Sequence, residues 1–159
     1  VVTVGRFEAG NAFNVIADSA VLEGTVRTLD ENVRAQIKSE IIALLEGFKI
    51  SSYIDYELDY LNGYPVLANH EQEANLVKQL IIDQFGQDAH EVRPQTLAAE
   101  DFAYYLLEKP GAFFYVGSHD GTDATQFPYH HPKFDIDERA LFNTAKTFIA
   151  IAEHYLIKE

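Results

Sequence analysis

An α/β fold is what this sequence predicts, and three observations predict it. Stretches in which apolar and polar residues alternate are interleaved with stretches of helical 3–4 spacing. Residues 112–116 are apolar throughout and include Phe113, Phe114, Tyr115 and Val116, the pattern of a strand buried on both faces. Apolar residues make up 47% of the 159-residue chain, enough for a globular core and too many for disorder. Strands that alternate with helices imply a layered α/β arrangement.

The elements follow in order. Residues 1–7 are a β-branched run, closed by a turn-rich patch that ends at Gly10-Asn11. A second strand is expected over 15–28, with Val21, Glu23, Thr25 and Arg27 on one face and Leu22, Gly24, Val26 and Thr28 on the other. Asp30 suits the N-cap of a helix whose apolar stripe is Val33, Ile37, Ile41, Leu44, Leu45 and Phe48, with Gly47 near its end. Residues 50–60 alternate and predict a strand with one acidic, wet face. Asn62-Gly63-Tyr64-Pro65 is punctuation, and the domain boundary is placed there, giving domains 1–64 and 65–159. Beyond it, a helix over 71–85 carries Leu76, Val77, Leu80 and Ile81 and stops at Gly86. A short extended piece surrounds Val92, and a helix spans about 101–108. The apolar strand 112–116 follows, then a loop over 118–134 rich in Gly, Asp, Thr and Pro. A loop of that length in a compact domain is usually functional or mobile. The last helix spans 138–157, with Asp137 as its cap and Leu141, Ala145, Phe148, Ile149, Ala152 and Leu156 on its buried face.

Charge narrows the partners. The net charge is −13, and the few Lys and Arg are dispersed. Nucleic acid and anionic membrane surfaces bind through clustered cations, so both are poor partners for this chain. No apolar run is long enough to span a bilayer. The sequence has no cysteine, which rules out disulfides and thiolate metal sites and accords with a cytoplasmic location. It also has no methionine, and it reads as a piece of a longer protein.

Candidate chemistry concentrates in Phe127-Pro128-Tyr129-His130-His131-Pro132-Lys133-Phe134-Asp135. Neutral imidazole is the commonest protein metal ligand, and the prolines stiffen the backbone on both sides. In an extended segment adjacent side chains point in opposite directions, so only one of the pair would face a given metal. Both could equally be solvent-facing loop histidines. Glu100-Asp101 reads either as a helix start or, through Glu100, as a group entering a pocket at a sheet edge. Asn14 could satisfy a turn. Arg27 could pair with Glu23 on its own face, or clamp a carboxylate with its planar fork. His119, Asp120 and Asp123 share the long loop with His130, which makes a self-contained metal site conceivable.

Three segments together resemble one family. They are Asn14-Val15-Ile16-Ala17-Asp18 running on to Glu23-Gly24-Thr25-Val26-Arg27-Thr28, then Ala99-Glu100-Asp101-Phe102-Ala103-Tyr104-Tyr105, then Tyr129-His130-His131-Pro132-Lys133-Phe134-Asp135. Their order resembles the C-terminal part of the dinuclear metallo-amidohydrolases, the group of aminoacylases, hippurate hydrolases, indole-acetyl-amino-acid hydrolases and related carboxypeptidases. The resemblance implies a partial ferredoxin-like βαββαβ lid and dimerisation domain, followed by the C-terminal part of an α/β zinc-peptidase-like catalytic domain. It implies two divalent metal ions (Zn, Mn, Co or Ni) in the full-length parent, with at most one ligand here. It also implies hydrolysis of N-acyl amino acids, or of C-terminal peptide-like amides, by metal-activated water, and a homodimer formed through the lid.

Residue by residue, the resemblance assigns metal binding to His130 and makes His131 a variable bystander. It assigns substrate holding to Asn14 and substrate-carboxylate binding to Arg27, and it places Glu100 near the metal pocket. Ala17 departs from the family's usual Pro, and Ala9-Gly10 from its frequent glycine pair. The family's other metal ligands, its general-base Glu and its lid His lie upstream of the matched region. The chain alone is therefore expected to be catalytically inactive, with no catalytic residue of its own. The alternative is a non-catalytic α/β dimerisation or regulatory module.

Overall fold

The structure, a computed structural model, describes residues 1–157. It is a mixed α/β chain of two compact units. The first comprises Val1–Leu67 with Gln95–Ala103, and the second comprises Ala68–Pro94 with Tyr104–Glu159.

The first unit is built on an antiparallel hairpin of β1 (Val2–Ala9) and β2 (Ala20–Val26). The ladder slips between Val4 and Arg6, so that Gly5 is the extra residue of a bulge. That slip keeps the charged side chains of β1 off the apolar face. Val2, Val4, Phe7, Ala9, Ala20, Leu22, Gly24 and Val26 fall on one face. Thr3, Arg6, Glu8, Val21, Glu23 and Thr25 fall on the other. Without the bulge, Arg6 and Glu8 would land among the valines. On the polar face Arg6 bridges Glu8 at 2.6 Å and Glu23 at 3.0 Å. Gly24 has a steric reason: a Cβ there would collide with the Thr3 carbonyl oxygen across the ladder.

Helix α1 (Glu31–Ser52) begins where expected, the Asp30 carboxylate accepting from the backbone N–H groups of Asn32 and Val33. It runs through Gly47 and ends at Tyr53, which adopts a left-handed φ of 53°. The strand expected over 50–60 does not form. Residues 50–52 remain helical, and 53–60 pair with no strand among the described residues. That segment instead lies back along α1, held by side chains. Lys49 bonds Asp55 at 2.8 Å, the Tyr56 hydroxyl donates to Glu46, and the Lys38 ammonium sits over the Tyr60 ring. Arg34 then donates to the Tyr64 carbonyl, and the Val66 N–H to Glu31.

The second unit packs α2 (Glu71–Phe85) against α4 (Arg139–Leu156). Between them in sequence stands the short α3 (Ala103–Glu108), whose first residue belongs to the first unit. The buried residues of α2 and α4 are Val77, Ala140, Thr147 and Ala150, and Leu106 of α3 is buried as well. The face expected to be buried on α4 is therefore corrected. Its buried positions are Ala140, Thr147 and Ala150, while Leu141, Ala145, Phe148, Ile149, Ala152 and Leu156 stay exposed. Small side chains allow the close approach of two helices, and the large apolar stripe faces elsewhere. Phe148 does reach the Phe114 ring, at 5.6 Å between centroids.

The strand expected over 112–116 also pairs with no strand among the described residues. Side chains and backbone at the start of α2 hold its beginning. The Asn69 amide donates to the Phe113 carbonyl and accepts from the Phe113 N–H, both at 2.8 Å. The Gly111 N–H donates to His70 Nδ1 at 3.2 Å, and the His70 N–H to the Gly111 carbonyl at 3.1 Å. Asn69 thus imitates a neighbouring strand. Among the described residues no helix is long and apolar enough to cross a membrane.

Candidate metal centre

The loop after residue 117 is closed at its base, where the Asp137 N–H donates to the Ser118 carbonyl at 2.8 Å. Its first half is organised by Asp120. That carboxylate accepts from the Thr122 N–H and from the hydroxyls of Thr122 and Thr125, which holds it well below the usual carboxylate range. His119 shares the Thr125 hydroxyl through Nδ1 at 3.0 Å. Among the described residues no three His, Cys, Asp or Glu side chains gather to hold a metal. The conceivable site from His119, Asp120, Asp123 and His130 is not assembled, and hydroxyl groups occupy Asp120 instead.

The second half carries His130. The expected extended segment is in fact two consecutive β-turns. The His131 N–H donates to the Pro128 carbonyl at 3.1 Å, and the Phe134 N–H to the His131 carbonyl at 2.9 Å. The first turn places His130 at its third position with φ of 72°. A positive φ is uncommon for a residue with a Cβ and is held only where the surroundings impose it. The second turn has Pro132 at its second position, where the fixed proline φ fits. The His130 ring meets the edge of Tyr129, and neither of its nitrogens hydrogen-bonds to the described residues. It is exposed. One unengaged imidazole suits one ligand position of a metal and supplies no more than that.

His131 is no bystander to the loop. Its Nδ1 accepts from the Lys133 N–H at 3.0 Å, and its ring stacks on Phe127 with centroids 4.4 Å apart and 12° between planes. Lys133 places its ammonium over the same Phe127 ring. Pro132, suited to the second position of a turn, is the signal from which the second turn could have been read.

The remaining sequence-identified residues lie in the first unit. Asn14 sits in the loop joining β1 to β2, in a turn that the Val15 N–H closes onto the Ala12 carbonyl. Gly10, with φ of 72°, lets that loop fold so that Ala17 comes close. Arg27 stands at the opposite end of the hairpin, roughly 20 Å of ladder away. Its Nη1 donates to the Leu97 carbonyl at 2.8 Å. It does not pair with Glu23, because Glu23 faces Arg6 in register and takes that guanidinium. Among the described residues no carboxylate pairs with Arg27. It lines an open depression of about 340 Å³ with Thr28, Leu29, Asp30, Val33 and Leu97. Glu100 is half-buried three residues after Leu97, and its carbonyl accepts from the Ala103 N–H at the start of α3.

Comparison with known proteins places the chain in a family. The model of the peptidase family M20/M25/M40 matches residues 2–154. A Bacillus subtilis (strain 168) protein named only provisionally as an amidohydrolase, YhaA, is 42% identical over 156 residues, which are 98% of this chain and 39% of that protein. The N-acetyl-L-cysteine deacetylase of the same organism is 35% identical over 151 residues, 91% of this chain and 33% of that protein. The crystal structure of Bacillus subtilis YXEP, described as a dinuclear metal-binding peptidase of the M20 family, aligns with a TM-score of 0.84 and 30% identity. That alignment covers 100% of this chain and 43% of that one. The chain thus spans about two fifths of the length of the relatives it matches.

Proposed function

The chain belongs to peptidase family M20/M25/M40, and from that we propose that it serves a metal-dependent amidohydrolase acting on N-acyl amino acids or C-terminal peptide-like amides. The observation that carries the proposal is His130, an unengaged imidazole presented on a strained turn. Relatives named as hydrolases and deacetylases support the reaction class.

In this reading, residues 1–64 are part of a ferredoxin-like lid and residues 65–159 part of the catalytic domain. His130 would hold one of two divalent metals, which when bound would lower the pKa of a water and polarise the scissile carbonyl. The acyl C–N bond breaks, water supplying a hydroxyl to the acyl carbon and a proton to the amine. Arg27 binds the free carboxylate of the substrate. Its lack of an acidic partner in a chain of net charge −13 supports that role. Asn14 steadies the acyl carbonyl through its amide, and Glu100 contributes to the pocket wall.

Asn14 and Arg27 lie farther apart along the hairpin than an N-acyl amino acid is long. A homodimer through the lid would let the two residues of one hairpin address different active sites. In this reading the chain supplies one ligand, and among the described residues no three His, Cys, Asp or Glu side chains gather to hold a metal. The chain alone is accordingly proposed to be inactive. Incubated with zinc or manganese and N-acetyl or N-benzoyl amino acids, it is expected to match its His130→Ala variant. Turnover well above that control would refute the inactivity, and metal uptake unchanged by His130→Ala would refute the ligand assignment.

A further inference from the structure

We infer that His131 is a positioning residue for His130, acting as an imidazole-based turn cap that holds the neighbouring histidine in its left-handed conformation. The inference rests on the reading of His130 as a metal ligand only for its functional consequence.

His131 is the residue the two turns share. It closes the first through its backbone N–H and opens the second through its carbonyl. The opening position of a β-turn favours Asp, Asn and Ser, because their side chains accept from the N–H two residues on. His131 performs that task with Nδ1, which takes the Lys133 N–H at 3.0 Å. An accepting Nδ1 places the ring proton on Nε2. The same ring stacks on Phe127. One side chain therefore grips residue 127 on one side of the turn and residue 133 on the other. His130 lies inside that bracket, at the one position of the loop where a Cβ-bearing residue has positive φ. Among the described residues the His130 side chain itself meets the Tyr129 ring edge and makes no hydrogen bond. Partners that hydrogen-bond and orient a metal-ligating histidine typically change metal affinity roughly 10- to 100-fold when lost, and the same scale is taken for His131, which acts through the backbone of the turn.

Two substitutions separate the acceptor from the ring. His131→Asn keeps an acceptor at the δ position and gives up the stack. His131→Phe keeps an aromatic ring and gives up the acceptor. Both are compared with the wild-type chain by NMR, using couplings and amide–Hα NOEs that report the sign of φ at His130. Zinc is then titrated alone while the His130 ring resonances are followed, and circular dichroism verifies that the helices persist. His131→Asn is expected to keep positive φ at His130 and near wild-type zinc response. His131→Phe is expected to lose positive φ and to weaken the zinc response roughly 10- to 100-fold. Positive φ retained in His131→Phe would overturn the inference, as would a folded His131→Asn that behaves like His131→Phe. A wild-type chain whose His130 ring ignores zinc would refute the ligand reading alone, because the φ comparison still decides the role of His131.

Discussion

At Gly24 the requirement for glycine is a matter of backbone proximity. Any Cβ would meet the Thr3 carbonyl oxygen, which belongs to the ladder and cannot swing away. Gly24→Ala is expected to destabilise the hairpin by about 1–3 kcal/mol, measured by urea unfolding together with amide exchange in β1 and β2. Asp120 makes a second residue-scale prediction. Its folded-state pKa is depressed by three donors, the Thr125 hydroxyl first. Its contribution is therefore complete above the ordinary carboxylate value of about 4. It is lost as pH falls below that value and through the depressed one. The Thr122 amide resonance should move over that acidic window in the wild type and stay level in Asp120→Asn. At this scale the sequence was informative about identity and less so about neighbours. His130, Asn14, Arg27 and Glu100 were singled out through the resemblance of their segments to a family. The pairing of Arg6 with Glu23 depends on a bulge that shifts register by one, for which Gly5 inside the strand pattern is the local signal.

Among the elements, the helices were readable from their periodicity and in part from boundary residues, although α4 has Glu138 at its N-cap position rather than the expected Asp137. Asp30 caps α1, and α2 spans the residues its periodicity predicts, stopping at Gly86. The strands beyond the hairpin were not, because a strand exists only with a partner. Residues 53–60 and 112–116 have strand composition, yet here the first is held through side chains such as Asp55 on Lys49, and the Phe113 backbone is held by the Asn69 side chain. The end of α1 was misplaced for a related reason: Gly47 lies inside the helix, and Tyr53 takes the left-handed closing position that glycine usually fills. Tyr53 is almost fully exposed, so its ring gives up little if removed. Tyr53→Gly should relieve the cost of a left-handed Cβ-bearing residue and stabilise the unit by roughly 1 kcal/mol. A rise in the urea midpoint without a change in slope would support it. A fall would mean that the tyrosine side chain holds this turn.

Across the whole molecule, apolar surface and charge oppose each other. The hairpin leaves Phe7 68% and Leu22 59% exposed on its apolar face, and α4 leaves Phe148 56% exposed. Such faces favour association. A net charge of −13 opposes it through self-repulsion. Repulsion between copies is long-ranged and screened by salt, whereas apolar contact is short-ranged and persists. Raising NaCl from about 20 mM to about 500 mM shortens the Debye length severalfold. The mass measured by analytical ultracentrifugation at fixed protein concentration should therefore increase. Lowering pH from 7 toward the pI of about 4.7 should act in the same direction by removing net charge. An interface made chiefly of ion pairs would respond to salt with the opposite sign. The hairpin also makes the surface testable, because Phe7 and Leu22 are cross-strand partners on the apolar face, while Thr3 and Thr25 are partners on the polar one. Placing Lys at 7 and Glu at 22 keeps the ladder and adds no net charge, yet it should lower the mass at high salt. The same charges at 3 and 25 should leave the mass unchanged. If both pairs act alike, the contact does not run through the hairpin's apolar face, and the exposed stripe of α4 becomes the surface to test.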